Sequence, residues 1–212
     1  MHSSIVVTKP APDPALVTLY EAKVALKIPT ESTDSDEMLR FIILRSSDEV
    51  QTLCSRVFPK EEVIETFREI VNPITRLPLS RYPVKPEDIF SIVVDGTEIE
   101  YDVDVNSGIL TLYNGGFWAE TVVATYAGGY EIPHEVPPAL KQATLMMAKE
   151  AYYSTQRGDS SIRQITHKES RIVYFDPSTM IKAMNSGSSG GGGSAAQNAA
   201  KSLLQRYTRL TA

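Results

Sequence analysis

The sequence is short of the residues that would staple, coordinate or anchor it. Cys54 is the single cysteine in 212 residues, so no disulfide can close within the chain and no multi-thiolate zinc site is available. The fold must therefore rest on packing, and a reducing compartment is favoured. No apolar run approaches the roughly 18 residues of a membrane-spanning helix. Met1–Lys9 holds only Ile5, Val6 and Val7 as an apolar run and lacks the basic start, long apolar centre and small-residue cleavage site of a signal peptide. A soluble, intracellularly made protein is expected. Basic charge is also scarce: 21 Lys and Arg against 26 Asp and Glu leave −5, which disfavours a protein whose main task is to neutralise phosphates.

Signatures of catalysis are missing too. His2, His134 and His167 lie far apart, and no Ser, His, Asp grouping has the frame of a nucleophile elbow. Gly128-Gly129 is not followed by the Gly-Lys-Ser/Thr of a phosphate loop and reads as a turn between strand and helix. Asp102-Val103-Asp104-Val105-Asn106 starts like a calcium loop. Its sixth and twelfth positions are Ser107 and Tyr113, where a Gly and a bidentate Glu are required, and the alternating valines explain the spacing as a strand. Asp34, Asp36 and Glu37 read as helix-start residues that meet the positive end of the dipole. Cys54, on or beside an apolar helix stripe, reads as a small hydrophobe. No catalytic residue, cofactor or metal is expected.

What is present is a chain with 42% apolar residues, ten Tyr and six Phe, enough for one large or two small folded domains. Residues 1–15, with Pro10, Pro12 and Pro14, read as an extended arm. A capping box, Thr18 to Glu21, opens a helix with Leu19, Ala22 and Leu26 on one face, ended by Pro29. A second box, Asp34 to Glu37, opens a long amphipathic helix before Pro59, with Leu39, Ile42, Ile43, Val50, Leu53 and Val57 on its stripe. Together they predict a short-looped helical hairpin. Strands follow over 63–71, 74–79, 89–94, 98–105, 109–113 and 121–127, separated by Asp95-Gly96, Asn106-Ser107-Gly108 and Asn114-Gly115-Gly116 turns. Pro137-Pro138 opens a further helix, with Leu140, Ala143, Met147 and Ala151 at helical spacing, expected to close the sheet's apolar face. Ile162–Phe175 alternates loosely and fits either a protruding hairpin or a strand that pairs only in an assembly. The predicted class is α+β: an N-terminal helical hairpin and a further helix packed with a small antiparallel sheet, plus the arm and a tethered C-terminal helix.

The folded body thus spans 16–176, and 177–194 is a tether whose Asn185–Ser194 stretch is Gly/Ser-rich. Residues 195–212 are again helix-compatible, with Leu203, Leu204, Tyr207 and Leu210 clustering on one face beside Arg206 and Arg209. A short helix on a tether is not stable alone in water, so it is predicted to dock. From Pro177 onward there are four basic residues and no acid, which leaves −9 for the rest of a chain that totals −5. Body and tail carry opposite charge.

The order of these features resembles the head-tail connector (adaptor) proteins of tailed double-stranded DNA phages and gene transfer agents. The resemblance is carried by Leu19-Tyr20-Glu21-Ala22-Lys23-Val24-Ala25-Leu26, by the acidic loop and long helix over 36–58, and by Leu77-Pro78-Leu79-Ser80-Arg81-Tyr82-Pro83-Val84. It continues through Val123-Ala124-Thr125-Tyr126-Ala127-Gly128-Gly129-Tyr130, Val136-Pro137-Pro138-Ala139-Leu140 and the closing Ser202-Leu203-Leu204-Gln205-Arg206-Tyr207-Thr208-Arg209. It covers about 16–175 and the tail; the Gly/Ser insertion and the Pro-rich arm depart from the pattern. The resemblance implies a structural virion protein without enzymatic activity, located in the neck at the head-tail junction and made in the host bacterial cytoplasm. It further implies a dodecameric homo-oligomeric ring below the portal protein, offering its far side to a stopper or tail-completion protein. DNA would pass through the lumen without specific binding, and no membrane would be involved. The tail residues Leu203, Leu204, Arg206, Tyr207, Arg209 and Leu210 would contact the portal or a neighbouring subunit. Residues alone leave two other classes open: a small soluble α+β enzyme or ligand-binding domain with dispersed site residues, and a nucleic-acid-binding adaptor using the basic tail.

Overall fold

The computed structural model describes residues 2–113, 115–156, 162–166, 171–174 and 195–208. Two compact units divide the chain: a sheet unit from the described residues of Met1–Leu16 and Gln51–Pro137, and a helical unit from those of Val17–Val50 and Pro138–Tyr207. The α+β class holds.

In the helical unit, α1 (Leu19–Leu26) starts as its sequence dictates. The Thr18 hydroxyl accepts from the Glu21 N–H at 3.1 Å while the Glu21 carboxyl accepts from the Thr18 N–H at 2.8 Å, satisfying two orphan donors reciprocally. Lys27, in the left-handed region at φ 59°, ends it. The long helix α2 (Asp36–Cys54), which belongs to this unit as far as Val50, buries Leu39, Ile42, Ile43 and Val50. It stops short of the expected Phe58 because Ser55 turns left-handed at φ 50°, and the Gln51 side chain then accepts from the Phe58 N–H at 3.3 Å. Helix α3 (Pro138–Gln156) buries Leu140, Ala143, Thr144, Met147 and Ala148, and packs against α1 and against α4 (Ala195–Leu204).

In the sheet unit a five-stranded antiparallel sheet has the order β1-β2-β8-β4-β5, built from β1 (His2–Lys9), β2 (Glu61–Ile74), β4 (Ile89–Val94), β5 (Thr97–Glu98) and β8 (Trp118–Gly128). A three-stranded sheet, β3-β7-β6, comes from β3 (Arg76–Pro78), β6 (Tyr101–Asp104) and β7 (Ile109–Leu112). Two expectations change here. The 98–105 strand is broken at Ile99–Glu100, its ends serving different sheets, and the start of the arm is not merely extended but a full edge strand along β2. The apolar cluster of Val63, Phe67, Ile92, Val122 and Tyr126 from the large sheet is closed by Leu77 and Leu110 of the small sheet and by Leu79 and Val84 of the connecting loop. A helix was expected in that role; the cover in this unit is the second sheet.

The remaining strands, β9 (Ile162–Thr166) and β10 (Arg171–Tyr174), pair antiparallel as a two-stranded sheet of their own, the hairpin alternative for that segment. The Gly/Ser tether lies outside the described residues.

Candidate partner-binding site

The tail helix finds its docking ground on α3. Ala200 and Leu204, four residues apart and so on one face, are at most 2% exposed, while Leu203 and Tyr207 are partly buried. Arg206 stays exposed with its guanidinium 5.7 Å from the Tyr207 ring centre; Arg209 and Leu210 lie outside the described residues. Of the predicted partner-binding set, Leu204 is thus taken up within the chain, and Arg206 is turned to solvent. Ala200 was missed, although its spacing from Leu204 would have placed it.

Helices α1 and α3 are tied by Glu21, whose second carboxylate oxygen lies 2.6 Å from Lys141 Nζ. Burial alone would raise the Glu21 carboxyl, but the Lys141 hydrogen bond, the Thr18 N–H and the attraction of Lys141 outweigh it and hold the group below its ordinary value. A carboxyl lowered on folding stabilises the fold above its unfolded value, near about 4.3, and loses that contribution as pH falls through the folded value. Wild type should therefore exceed Lys141→Met by about 0.5–1 kcal/mol at neutral pH. Urea titrations should show this gap closing on acidification; a gap constant through the acid range would assign it to packing instead.

The acidic loop has a comparable internal role. Lys23, nearly buried, sits 2.5 Å from Asp36 and donates to the carbonyls of Thr30 and Ser32 at 3.3 and 2.7 Å, so its ammonium pins the α1–α2 connection.

In the sheet unit the sequence reading missed two buried polar centres. Glu65 is fully buried on β2 between Val63 and Phe67, on the core face. It accepts from Ser80 N–H at 3.0 Å, Ser80 Oγ at 2.5 Å and Tyr126 OH at 2.7 Å, and Arg81 N–H donates to the same phenol at 3.1 Å. Burial and the neighbouring Glu65 push the Tyr126 phenol up. Ser, Glu and Tyr are residue types that catalyse, but each is at most 2% exposed, so no substrate reaches them and the set fastens the 79–81 loop to the sheet. The signal was visible: an acid in phase with Val63 and Phe67 in an alternating strand.

Arg56, just beyond α2, is the other centre. Its guanidinium lies 3.4 Å from the centre of the Tyr82 ring and 5.0 Å from that of Phe58, and it donates to the Tyr82 carbonyl. Burial lowers its pKa, opposed by Tyr82 and Tyr130, yet an arginine stays protonated in such surroundings. Burial likewise pushes the Cys54 thiol up to about 11, so it is a packing residue, inert as a nucleophile.

A cleft of about 470 Å³ lies against the sheet, lined by Lys9, Asp13, Lys60, Glu62, Asp88 and Phe90 among others. Its two lysines are paired, Lys9 with Glu62 at 2.9 Å and Lys60 with Asp88 at 2.9 Å and Glu131 at 3.4 Å, while Asp13 accepts from the Ala15 N–H at 2.9 Å. The calcium-like Asp102–Asn106 stretch forms β6 and its turn, where Asp104 accepts from the Asn106 N–H at 3.1 Å. Among the described residues no three His, Cys, Asp or Glu side chains gather as metal ligands, and no helix is long and apolar enough to cross a membrane.

No protein-family profile and no curated protein sequence matches the chain. Its fold is that of gene transfer agent neck chains. A chain of the neck of an empty gene transfer agent particle, computed with C6 symmetry, superposes with a TM-score of 0.60 at 11% identity, covering 99% of this chain and 97% of that one. A chain of the native particle's neck, computed with C12 symmetry, gives 0.59 at 12% identity with the same coverage. A chain of the native gene transfer agent virion gives 0.54 at 11% identity, covering 98% and 96%. At such identities the likeness is one of fold, and it runs over both units and almost the whole length of each chain.

Proposed function

We propose that this chain is a structural, non-enzymatic virion protein that forms a dodecameric ring in the neck, below the portal, joining capsid to tail and extending the DNA channel. The observation that carries the proposal is the end-to-end fold likeness to chains of gene transfer agent necks computed with C6 and C12 symmetry. Charge supports it: the acidic body repels the phosphates of passing DNA, where a basic wall would add contacts and drag. A stopper or tail-completion protein would meet the far side, and assembly would follow synthesis in the host bacterial cytoplasm.

The tail, seated on α3 through Leu204, contacts the portal or a neighbouring subunit through Leu203, Arg206, Tyr207, Arg209 and Leu210, and the tether raises its effective concentration there once the ring is placed. Because Ala200 and Leu204 pack on α3, truncating the whole tail would also strip that helix. The cleaner variant is Arg206→Glu with Arg209→Glu. Electron microscopy of purified protein mixed with portals should show a coaxial ring for wild type and at least about a tenfold lower portal occupancy for the variant. Bare portals and a monomeric mass for wild type would reject the ring; full occupancy by the variant would reject the tail's basic contact.

A further inference from the structure

Among the described residues the five-stranded sheet leaves both of its edges open, and they match each other. On one side β1 is an eight-residue edge strand with Val6 61% and Val7 40% exposed. On the other, β5 covers β4 only at Val93 and Val94, leaving Ile89–Ser91 unpaired on the side away from β8, with Phe90 56% exposed at a register irregularity. Natural sheets usually block such edges with lysine, proline or short strands. Here Lys9 and Pro10 guard only the end of β1, beyond the valines.

The registers place the two open stretches at the same level. Val6 is opposite Ile64, Ile64 opposite Thr125 and Thr125 opposite Ser91; Val7 leads likewise through Val63 and Tyr126 to Ile89. Strand direction also fits. β1, β2, β8 and β4 alternate, so a second copy added in the same sense brings its β4 beside β1 antiparallel, the better-bonded arrangement. Such a contact is head-to-tail and closes into a ring when the rotation between copies permits.

We propose that copies of this chain join edge to edge, the Val6–Val7 stretch of β1 pairing with the Ile89–Ser91 stretch of β4 in the next copy, so that the sheet continues across subunits. The proposal rests on the ring reading above and names the seam that holds it. Main-chain hydrogen bonds supply the pairing, and Val6, Val7 and Phe90 lose their exposed apolar surface in it.

Within one chain, β1 and β4 are three strand spacings apart, about 14 Å, too far for a disulfide, which needs Cα atoms within about 7 Å. Full-length protein carrying Val6→Cys and Phe90→Cys, oxidised under native conditions, should therefore give a ladder of covalent multimers on a non-reducing gel, while each single variant stays monomeric. A dimer from Val6→Cys alone would overturn the proposal in favour of a two-fold β1–β1 contact. As a second measurement, Val6→Lys with Phe90→Lys places charges at exposed positions the monomer tolerates, and should lower the assembled fraction at least about tenfold by mass photometry with the melting temperature unchanged. Rings of native mass from the lysine variant, or intact rings without a ladder from the cysteine variant, would sink the edge pairing and leave the ring standing. A wild-type monomer in the presence of portals would instead take down the ring reading itself.

Discussion

Gly129→Ala is expected to lower the melting temperature by about 8–16 °C, or to leave the protein insoluble. Two causes act together. Gly129 sits at φ +120°, a backbone state that L residues rarely adopt, and a Cβ there would lie 2.5 Å from the Pro59 carbonyl oxygen and 2.7 Å from that of Phe58. Neither neighbour is a flexible side-chain tip. The same backbone is clamped by hydrogen bonds, Gly129 N–H to the Pro83 carbonyl at 2.9 Å and Tyr130 N–H to the Phe58 carbonyl at 2.7 Å, so relief by movement would cost those bonds as well. Strain and clash together should cost about 4 kcal/mol, and each kcal/mol is worth about 2–4 °C at this chain length. Gly96→Ala provides the control. It has φ +84° but nothing within 4 Å of the added Cβ, so it should lose only the backbone preference, about 1 kcal/mol. Equal losses for the two variants in a thermal melt would show that the close approach of the 58–59 segment has no energetic weight.

The second large effect concerns Glu65. Glu65→Leu keeps a similar volume but leaves the Ser80 N–H, the Ser80 hydroxyl and the Tyr126 hydroxyl as buried donors without their acceptor. Unsatisfied buried donors cost about 1–3 kcal/mol each, and breaking a buried polar set by removing its centre about 3–5 kcal/mol. Glu65→Gln retains one acceptor oxygen and should lose less, while Tyr126→Phe removes only the phenolic hydroxyl and should cost about 1–2 kcal/mol. The order Leu, then Gln, then Phe from most to least destabilised, read from urea midpoints at constant m-value, is the expected result. A Glu65→Leu protein as stable as wild type would mean that the carboxyl does not hold the 79–81 loop.

Local rules carried much of the fold. The Thr18–Glu21 box and the 89–94 strand were legible to the residue, because capping chemistry and β-branched alternation act within a few positions. Long-range pairing was not. The prolines at 10, 12 and 14 suggested an arm, while Ile5-Val6-Val7 had a partner strand only beyond two helices, and nothing nearby in sequence announced it. Periodicity likewise showed which face of the sheet is apolar without showing what covers it, so a helix was expected where Leu77 and Leu110 of the small sheet stand. For the candidate interface, the tail's apolar spacing was readable, but its seat on α3 depends on complementary surfaces separated by the tether. The edge stretches on β1 and β4 emerge only once the sheet order is known.

That sheet order also sets a schedule for synthesis. β1 precedes α1 and α2 in the chain while its partner β2 follows them, and β8, which lies between β2 and β4, comes later still. At about 5–20 residues per second, the ribosome exposes an unpaired, valine-bearing strand for several seconds before β2 emerges, and the central strand arrives only afterwards. The helices can form meanwhile from local contacts. The sheet unit cannot take its final order until β8 is out, so its folding is a late and non-local event, and the strand that waits longest unpaired is one whose outer edge is still open when folding is complete.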